Sequence, residues 1–102
     1  MKLKLNEAPK SLNVLFAMNH WTRRKYKKDI TETIFYSCLE QKLTPIKGKV
    51  ELHFFITFKK RRGMDKDNYI GGCKFLIDVL KGAGILPDDN SEIITGISVY
   101  FL

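Results

Sequence analysis

The sequence VELHFFITF, residues 50–58, decides the fold, because an apolar side chain recurs at every second position. Successive side chains of a β-strand point to opposite faces of the sheet, so the apolar positions from Val50 to Phe58 share one face. Glu51 and His53 fall on the other face. The segment therefore predicts a strand with one face against a core.

Helical spacing occurs on both sides of this strand. Residues 68–81 carry apolar side chains three and four positions apart, and Gly82 and Gly84 follow them, as is typical of a helix end. Residues 18–42 show the same spacing and stop before Pro45. Buried positions are expected at Tyr26, Ile30, Ile34, Phe35, Cys38, Leu39, Ile70, Cys73, Leu76, Ile77 and Leu80.

Two further strands complete the predicted fold. Residues 2–5 alternate lysine and leucine and residues 93–102 alternate again, whereas residues 8–15 contain turn formers and are predicted to be irregular. The order β-α-β-α-β predicts an α/β (α+β) fold: a single small mixed sheet covered by two helices, in one domain over residues 1–102.

The last predicted strand carries apolar side chains on both of its faces, so that not all of them can face the core. Ile93, Thr95 and the odd-numbered positions that follow are expected to face the core. Ile94, Tyr100 and Leu102 then lie on the reverse face, where they either contact a second subunit or remain exposed, as such residues often do in small domains.

Composition narrows the class of protein. No apolar run among the 102 residues is long enough to cross a membrane, and the N-terminal sequence lacks the apolar region of a secretory signal. Cys38 and Cys73 are therefore expected to be free thiols of a cytoplasmic protein. The net charge of +7 favours a polyanionic partner such as nucleic acid.

Positive and negative charges separate along the chain. The basic runs are residues 23–28 (RRKYKK) and 59–62 (KKRR), whereas five of the six aspartates lie between residues 65 and 89. A protein that only coats DNA gains nothing from carboxylates beside its most basic loop. A protein that holds a metal ion against DNA needs them, so the pattern favours a metal-dependent enzyme.

One stripe of the helix over residues 68–81 is polar. At about 100° per residue, Asp67, Lys74 and Asp78 fall within roughly 20° of one another. Asp65 projects to the same side of an extended loop as Asp67. Magnesium prefers carboxylate oxygens and can activate water, and a lysine can stabilise charge on a phosphate. Taken singly, these residues indicate only a helix cap at Asp67 or Asn68 and a solvated lysine, but together they predict metal-assisted phosphodiester hydrolysis.

The motifs D-x-D-N, K-x-x-x-D-x-L and a-G-x-x-x-D-D, at residues 65–68, 74–80 and 83–89, resemble the RusA family of Holliday junction resolvases. The stretch over residues 11–29 also resembles the N-terminal part of phage-borne relatives, so the likeness covers most of the chain. It implies a homodimer that resolves four-way branched DNA by paired symmetric nicks, in a bacterial cytoplasm and of phage or prophage origin.

The resemblance also implies a site. The metal ligands would be Asp65, Asp67 and Asp89, with Asp88 as the alternative to Asp89, and Lys74 would be the catalytic lysine. The cofactor would be Mg²⁺, with Mn²⁺ as an expected substitute, and no organic cofactor is expected. DNA contacts are expected at Asn13, Trp21, Arg23, Arg24, Lys25, Lys60, Arg61 and Arg62.

Three assignments stay open on the sequence alone. Trp21 either stacks on a base or packs against the helix start. Asp78 either orients Lys74 or forms an ordinary i,i+4 pair with it, and the second is favoured. Gly71 and Gly72 cost a helix roughly 2 kcal/mol relative to alanine, so either the helix begins after them or a close neighbour needs the space; a DNA phosphate or a partner subunit is the hypothesis.

Other kinds of site and function fit the sequence less well. The scattered positions of His20, Cys38, His53 and Cys73 lack the paired spacing of a structural zinc site. The alternative functions are a non-catalytic nucleic-acid-binding module and a nuclease of the same chemistry acting on other branched DNA. A binding module should not need Asp67, whereas a nuclease should fail to cut without it.

Overall fold

The computed structural model describes residues 2–6, 10–57 and 66–102. The secondary-structure elements within these ranges are α1 (Leu12–Ala17), α2 (His20–Glu40), β1 (Val50–Ile56), α3 (Lys66–Gly82) and β2 (Ile94–Phe101). The mixed helix-and-strand class is thus confirmed, although the element order differs from the prediction.

Within the residues that the structure describes, the sheet is two-stranded and parallel, not mixed. β1 and β2 pair side by side, and α3 connects them as the crossover that a parallel pair requires. The predicted strand at residues 2–5 is wrong. There the backbone N–H of Lys4 donates to Oε1 of Gln41 at 3.1 Å, and the Lys4 carbonyl accepts from Nε2 at 2.9 Å. One side-chain amide therefore satisfies backbone groups that a neighbouring strand would have paired.

A β-bulge corrects the predicted faces of β2. Val50 lies opposite Ile94, but Glu51 lies opposite Gly96, so Thr95 is the extra residue. The bulge shifts the alternation by one position and turns Ile94 onto the face of Val50, where only 8% of its surface is exposed. The prediction that Ile94 lies on the reverse face was wrong for this reason. Tyr100 stays exposed, as predicted.

The core lies between α2, α3 and one face of the sheet. It confirms Ile34 and Cys38 of α2 as buried, whereas Phe35 and Leu39 are exposed because each lies about 100° further round the helix. In α3, Ile70 and Leu80 are only half-buried. The buried hydrophobic residues are Leu15, Ile34, Cys38, Ile56, Cys73, Leu76, Ile77, Val79, Ile85, Leu86 and Ile94.

Helix α1 occupies part of the segment predicted to be irregular. The Ser11 side chain accepts a hydrogen bond from the Val14 N–H at the start of the helix, and Leu15 is buried. A six-residue helix is not stable in isolation, so tertiary contacts must hold α1 in place.

One such contact explains Gly71. A Cβ atom built at this position would lie 2.9 Å from Cδ2 of Leu12, closer than side chains tolerate. α3 begins at Lys66 and runs through both glycines, so the close neighbour is α1 of the same chain rather than DNA or a second subunit. That hypothesis is corrected accordingly.

The length and apolar character of the helices determine whether one of them could cross a membrane. Within the ranges that the structure describes, none is both long enough and apolar enough to span a bilayer.

Candidate nucleic-acid site

The polar stripe predicted on α3 lines a groove. Asp67, Lys74 and Asp78 border an open groove of about 550 Å³ between α1 and α3, together with Arg23 of α2. Asp67 lies in the first turn of α3, inside the helix rather than at its cap as predicted. The shared stripe is confirmed, because the three side chains reach the same concave surface.

Asp78 is paired across the helices. Its Oδ2 accepts a short hydrogen bond from Nζ of Lys27 on α2, and both side chains are about half exposed. The favoured interpretation, in which Asp78 pairs with Lys74, is therefore wrong. A helix surface offers an i,i+4 partner, but here a lysine from the adjacent helix lies closer.

Lys74 consequently keeps its charge uncompensated. It is exposed on the groove wall, and no hydrogen bond or ion pair joins it to another residue in the described ranges. It lies seven residues from Asp67, which is about 10 Å along the helix axis at about 1.5 Å per residue. A cation placed in this way can accept a phosphate without first breaking an internal salt bridge.

Arg23 has a structural task that sequence patterns did not indicate. Its Nε donates to the Leu15 carbonyl at 3.0 Å, and its Nη2 donates to the Met18 carbonyl at 3.1 Å. These carbonyls lie at the C-terminal end of α1, where helix carbonyls lack intrahelical partners. Arg23 thus clamps α1 to α2, and its expected DNA contact would be made by a side chain already anchored within the protein.

A second, basic groove of about 350 Å³ adjoins the first along α2. It is lined by His20, Arg23, Arg24, Lys27 and Phe75. Phe75 and Arg23 also line the first groove, so the two concave surfaces meet along α2. Among the described residues, the walls of the two grooves together carry more lysine and arginine than aspartate, which gives this face a positive balance.

Trp21 projects beside the basic groove. Its side chain is 66% exposed, so it packs little against the start of α2. The His20 ring lies 4.6 Å from it, and the Arg24 guanidinium lies 5.9 Å from the centre of its ring. An exposed indole beside a cation is a suitable stacking surface for a base.

The remaining expected DNA contacts divide into two groups. Asn13 on α1 and Lys25 on α2 are both exposed. Lys60, Arg61 and Arg62 lie outside the described residues, and so does the expected metal ligand Asp65.

Asp88 and Asp89 gather around a lysine at the end of α3. Nζ of Lys81 lies 3.3 Å from Oδ1 of Asp88 and 3.5 Å from Oδ1 of Asp89. The Asp89 N–H donates to the Asp88 carboxylate at 2.8 Å. This backbone hydrogen bond, followed by Lys81, lowers the pKa of Asp88, and Asp88 in turn raises the pKa of Lys81. The two aspartates therefore form part of an ion-paired turn.

The expected metal ligands lie at opposite ends of α3. Asp67 is in its first turn, whereas Asp89 contacts Lys81 in its last turn, fourteen residues and about 21 Å further along the axis at about 1.5 Å per residue. Among the described residues, no three candidate ligands are close enough to share an ion. The donor set of Asp67 with Asp89 therefore does not fit one metal ion within a single chain, whereas Asp65 is only two residues from Asp67 in sequence.

The cysteines are core residues. Cys38 and Cys73 are both free and buried. Burial raises the pKa of both thiols, that of Cys73 to about 11, so neither is a reactive thiolate at neutral pH.

Comparison with known proteins adds no relative to this description. No protein-family model, curated protein or solved structure matches the chain. The resemblance to the RusA resolvases thus depends on its sequence motifs alone.

Proposed function

We propose that this protein is a metal-dependent endonuclease that acts as a homodimer on branched DNA and resolves four-way junctions by paired nicks. The observation that carries the proposal is the uncompensated Lys74, which shares a groove and a helix stripe with Asp67 and adjoins the basic groove of α2. The RusA-like motifs supply the reaction class, and the +7 net charge agrees with a DNA substrate.

In this proposal each group has a separate task. Arg24 on α2 attracts the DNA backbone into the grooves, and Lys74 binds the phosphate that is cut, where it stabilises the developing negative charge. Asp67, with Asp65 two residues before it, would bind Mg²⁺. A bound Mg²⁺ supplies an activated water and polarises the phosphate. Asp89 has no task at that ion within one chain, because it lies at the far end of α3.

The test is cleavage of a labelled synthetic four-way junction with Mg²⁺, with a linear duplex of the same sequence as control. We expect symmetric paired nicks in the junction only. Asp67→Asn and Lys74→Ala should lower the rate roughly 100-fold or more while junction binding persists, since they remove catalytic groups rather than the whole interface. Lys47→Ala, an exposed lysine in the segment before β1, is the matched control and should retain the wild-type rate.

The Asp89→Asn variant tests, in the same assay, whether the aspartate at the C-terminal end of α3 contributes to cleavage. If Asp89 belongs only to the ion-paired turn with Lys81, cleavage should remain close to wild type. A loss as large as that of Asp67→Asn would instead require a second chain to bring the two aspartates together.

A second candidate function, a non-catalytic nucleic-acid-binding module, is favoured by one observation. The separation of Asp67 from Asp89 leaves the basic and aromatic surface of α2 as the more complete feature. Tight junction binding by the wild type, with no nicks in either Mg²⁺ or Mn²⁺, would establish this alternative.

A further inference from the structure

Helix α1 is fastened to the molecule more firmly than its length requires. Ser11 caps its first turn, Leu12 fits against the bare backbone at Gly71, and Leu15 is buried. Arg23 binds two carbonyls at its C-terminal end. Separate contacts thus fix both ends and the middle of this short helix, so the side chains that α1 leaves exposed are held in defined positions.

Two large apolar side chains of α1 are exposed, and the more exposed of the two is an aromatic residue beside the candidate site. Phe16 has 69% of its surface exposed, and it borders the same groove as Lys74. Exposing a phenylalanine to water is unfavourable relative to burying it. The anchoring of α1 therefore presents a ring that the core does not use.

The groove beneath Phe16 has the chemistry of a base-binding pocket. Its floor is apolar, formed by Leu12, Leu15 and Ile70, and the ring of Phe75 forms part of its wall. Phe75 is itself held by stacking on Tyr26, with ring centres 5.7 Å apart and planes inclined by 16°. The volume of about 550 Å³ is within the range of small-ligand sites.

The positive charge beside the groove limits which kinds of apolar ligand can bind there. Lys74 is an exposed cation on the α3 wall, and Arg24 continues the positive surface beyond the groove. A ligand that fits is therefore flat and apolar on one side and carries an anion on the other. A nucleotide meets this description, whereas a peptide with an apolar side chain supplies no anion for Lys74.

We propose that the groove between α1 and α3 receives an unpaired nucleobase of the branched DNA, stacked on Phe16, while the phosphate beside that base binds Lys74. The inference rests on the proposed function for its DNA ligand. It assigns to Phe16 a positioning role, since a base held there fixes which phosphate lies against Lys74.

The test measures binding without cleavage, by fluorescence anisotropy in the absence of divalent cations. The probes are a fluorescein-labelled duplex with one unpaired adenine and the same duplex with an abasic site at that position. Because stacking of one base on an aromatic ring is typically worth a factor of roughly ten or more, the wild type should bind the adenine probe about tenfold more tightly.

Variants at the groove separate stacking on the Phe16 ring from a general apolar contact and from phosphate binding. Phe16→Leu keeps an apolar side chain but lacks a ring, so it should reduce the preference for adenine to less than about twofold, whereas Phe16→Trp should keep it. Lys74→Gln should weaken both probes equally. Val14→Ser, at an exposed position of α1 that does not border the groove, is the matched control and should behave as wild type.

Three outcomes overturn the inference: equal binding of both probes by the wild type, an undiminished preference in Phe16→Leu, or a change of oligomeric state in Phe16→Leu by sedimentation equilibrium, which would assign Phe16 to a subunit contact. The junction assay keeps the two proposals apart. Nicking without a base preference refutes only the inference, and a base preference without nicking refutes only the nuclease.

Discussion

At the scale of single residues, the distribution of partners among the charged side chains matters more than their number. Asp78 is paired with Lys27, and Asp88 and Asp89 share Lys81. Lys74 precedes both pairs along α3 and has no such partner among the described residues. An uncompensated cation can displace a counterion when it binds phosphate, which is the source of salt-dependent affinity.

This difference predicts the salt dependence of DNA binding. Each phosphate contact contributes about 0.9 to the slope of log affinity against log salt concentration, so Lys74→Ala should reduce the slope by about one. Lys81→Ala should leave it nearly unchanged, because Lys81 is already paired with carboxylates. Titrations of labelled duplex DNA at several salt concentrations measure both slopes, and equal reductions would contradict the assignment.

The raised pKa of the Cys73 thiol predicts how the stability of the protein depends on pH. Burial raises its pKa to about 11, compared with about 8.5 for a free cysteine. Below about pH 8.5 the thiol is protonated in both states, so its contribution to stability is constant. At a pH between the Cys73 pKa of the unfolded chain and that of the folded chain, the unfolded chain loses a proton that the folded chain keeps. The free energy of unfolding should therefore fall as the pH rises through this interval.

Urea denaturation between pH 7 and 10.5 measures this fall, with Cys73→Ala as the comparison in which the thiol is absent. The wild type should lose more stability over this interval than the variant. Parallel curves would show that Cys73 ionises equally easily in both states. At pH 8, neither Cys73 nor Cys38 should react with a thiol reagent until the protein unfolds.

At the scale of secondary-structure elements, the contact between α1 and α3 should limit what position 71 tolerates. Gly71→Ala places a methyl group 2.9 Å from Leu12, so we expect a loss of about 1–3 kcal/mol in the free energy of unfolding. Gly82→Ala is the matched control. Its added Cβ would make an ordinary 3.8 Å contact with Thr31, and stability should be unchanged or slightly higher.

The same contact can be tested from the other side. Leu12→Ala alone should destabilise by removing a packed side chain, but in the Gly71→Ala background it also relieves the steric conflict. The double variant should therefore lose less stability than the two single losses added together. Chemical denaturation of the four proteins gives the coupling, and strict additivity would show that the two residues do not interact.

Sequence patterns predicted those elements that a local, periodic pattern of apolar residues marks. The alternation in β1 and the apolar stripes of α2 and α3 were sufficient to place each within a few residues. α1 was missed, because its stability comes from tertiary contacts with Gly71 and Arg23, which apolar periodicity does not reveal. The predicted strand at residues 2–5 failed for the converse reason: alternation was present, but Gln41 satisfies its backbone groups.

In the candidate site, too, the features that depend on local sequence were predictable, whereas those that depend on contacts between helices were not. The stripe of Asp67, Lys74 and Asp78 follows from helix geometry alone, so it was predictable. The pairing of Asp78 with Lys27 depends on how α2 crosses α3, which no local pattern contains. The exposed ring of Phe16 was not predictable, because an apolar residue in an apparently irregular segment carries no signal until that segment is known to be a helix.

At the scale of the whole molecule, the grooves and the sheet present two unlike surfaces. The groove along α2 is basic, since lysine and arginine line it and no carboxylate does. The outer face of the sheet carries Phe55 and Tyr100, stacked with ring centres 4.9 Å apart and both well exposed. A polyanion is therefore expected to approach the groove along α2 rather than this aromatic face.

The parallel crossover also divides the chain in an unusual way. Both strands and the helix that joins them begin at or after residue 50, whereas α1 and α2 lie wholly before Gly48, which turns the chain with a φ of +87°. The interface between these halves contains the core cluster in which Ile34 and Cys38 pack with Leu76, Val79 and Ile85. Two separately synthesised peptides, divided near Gly48, would thus each carry one uncovered half of that core, and the groove between α1 and α3 would exist only after they recombined.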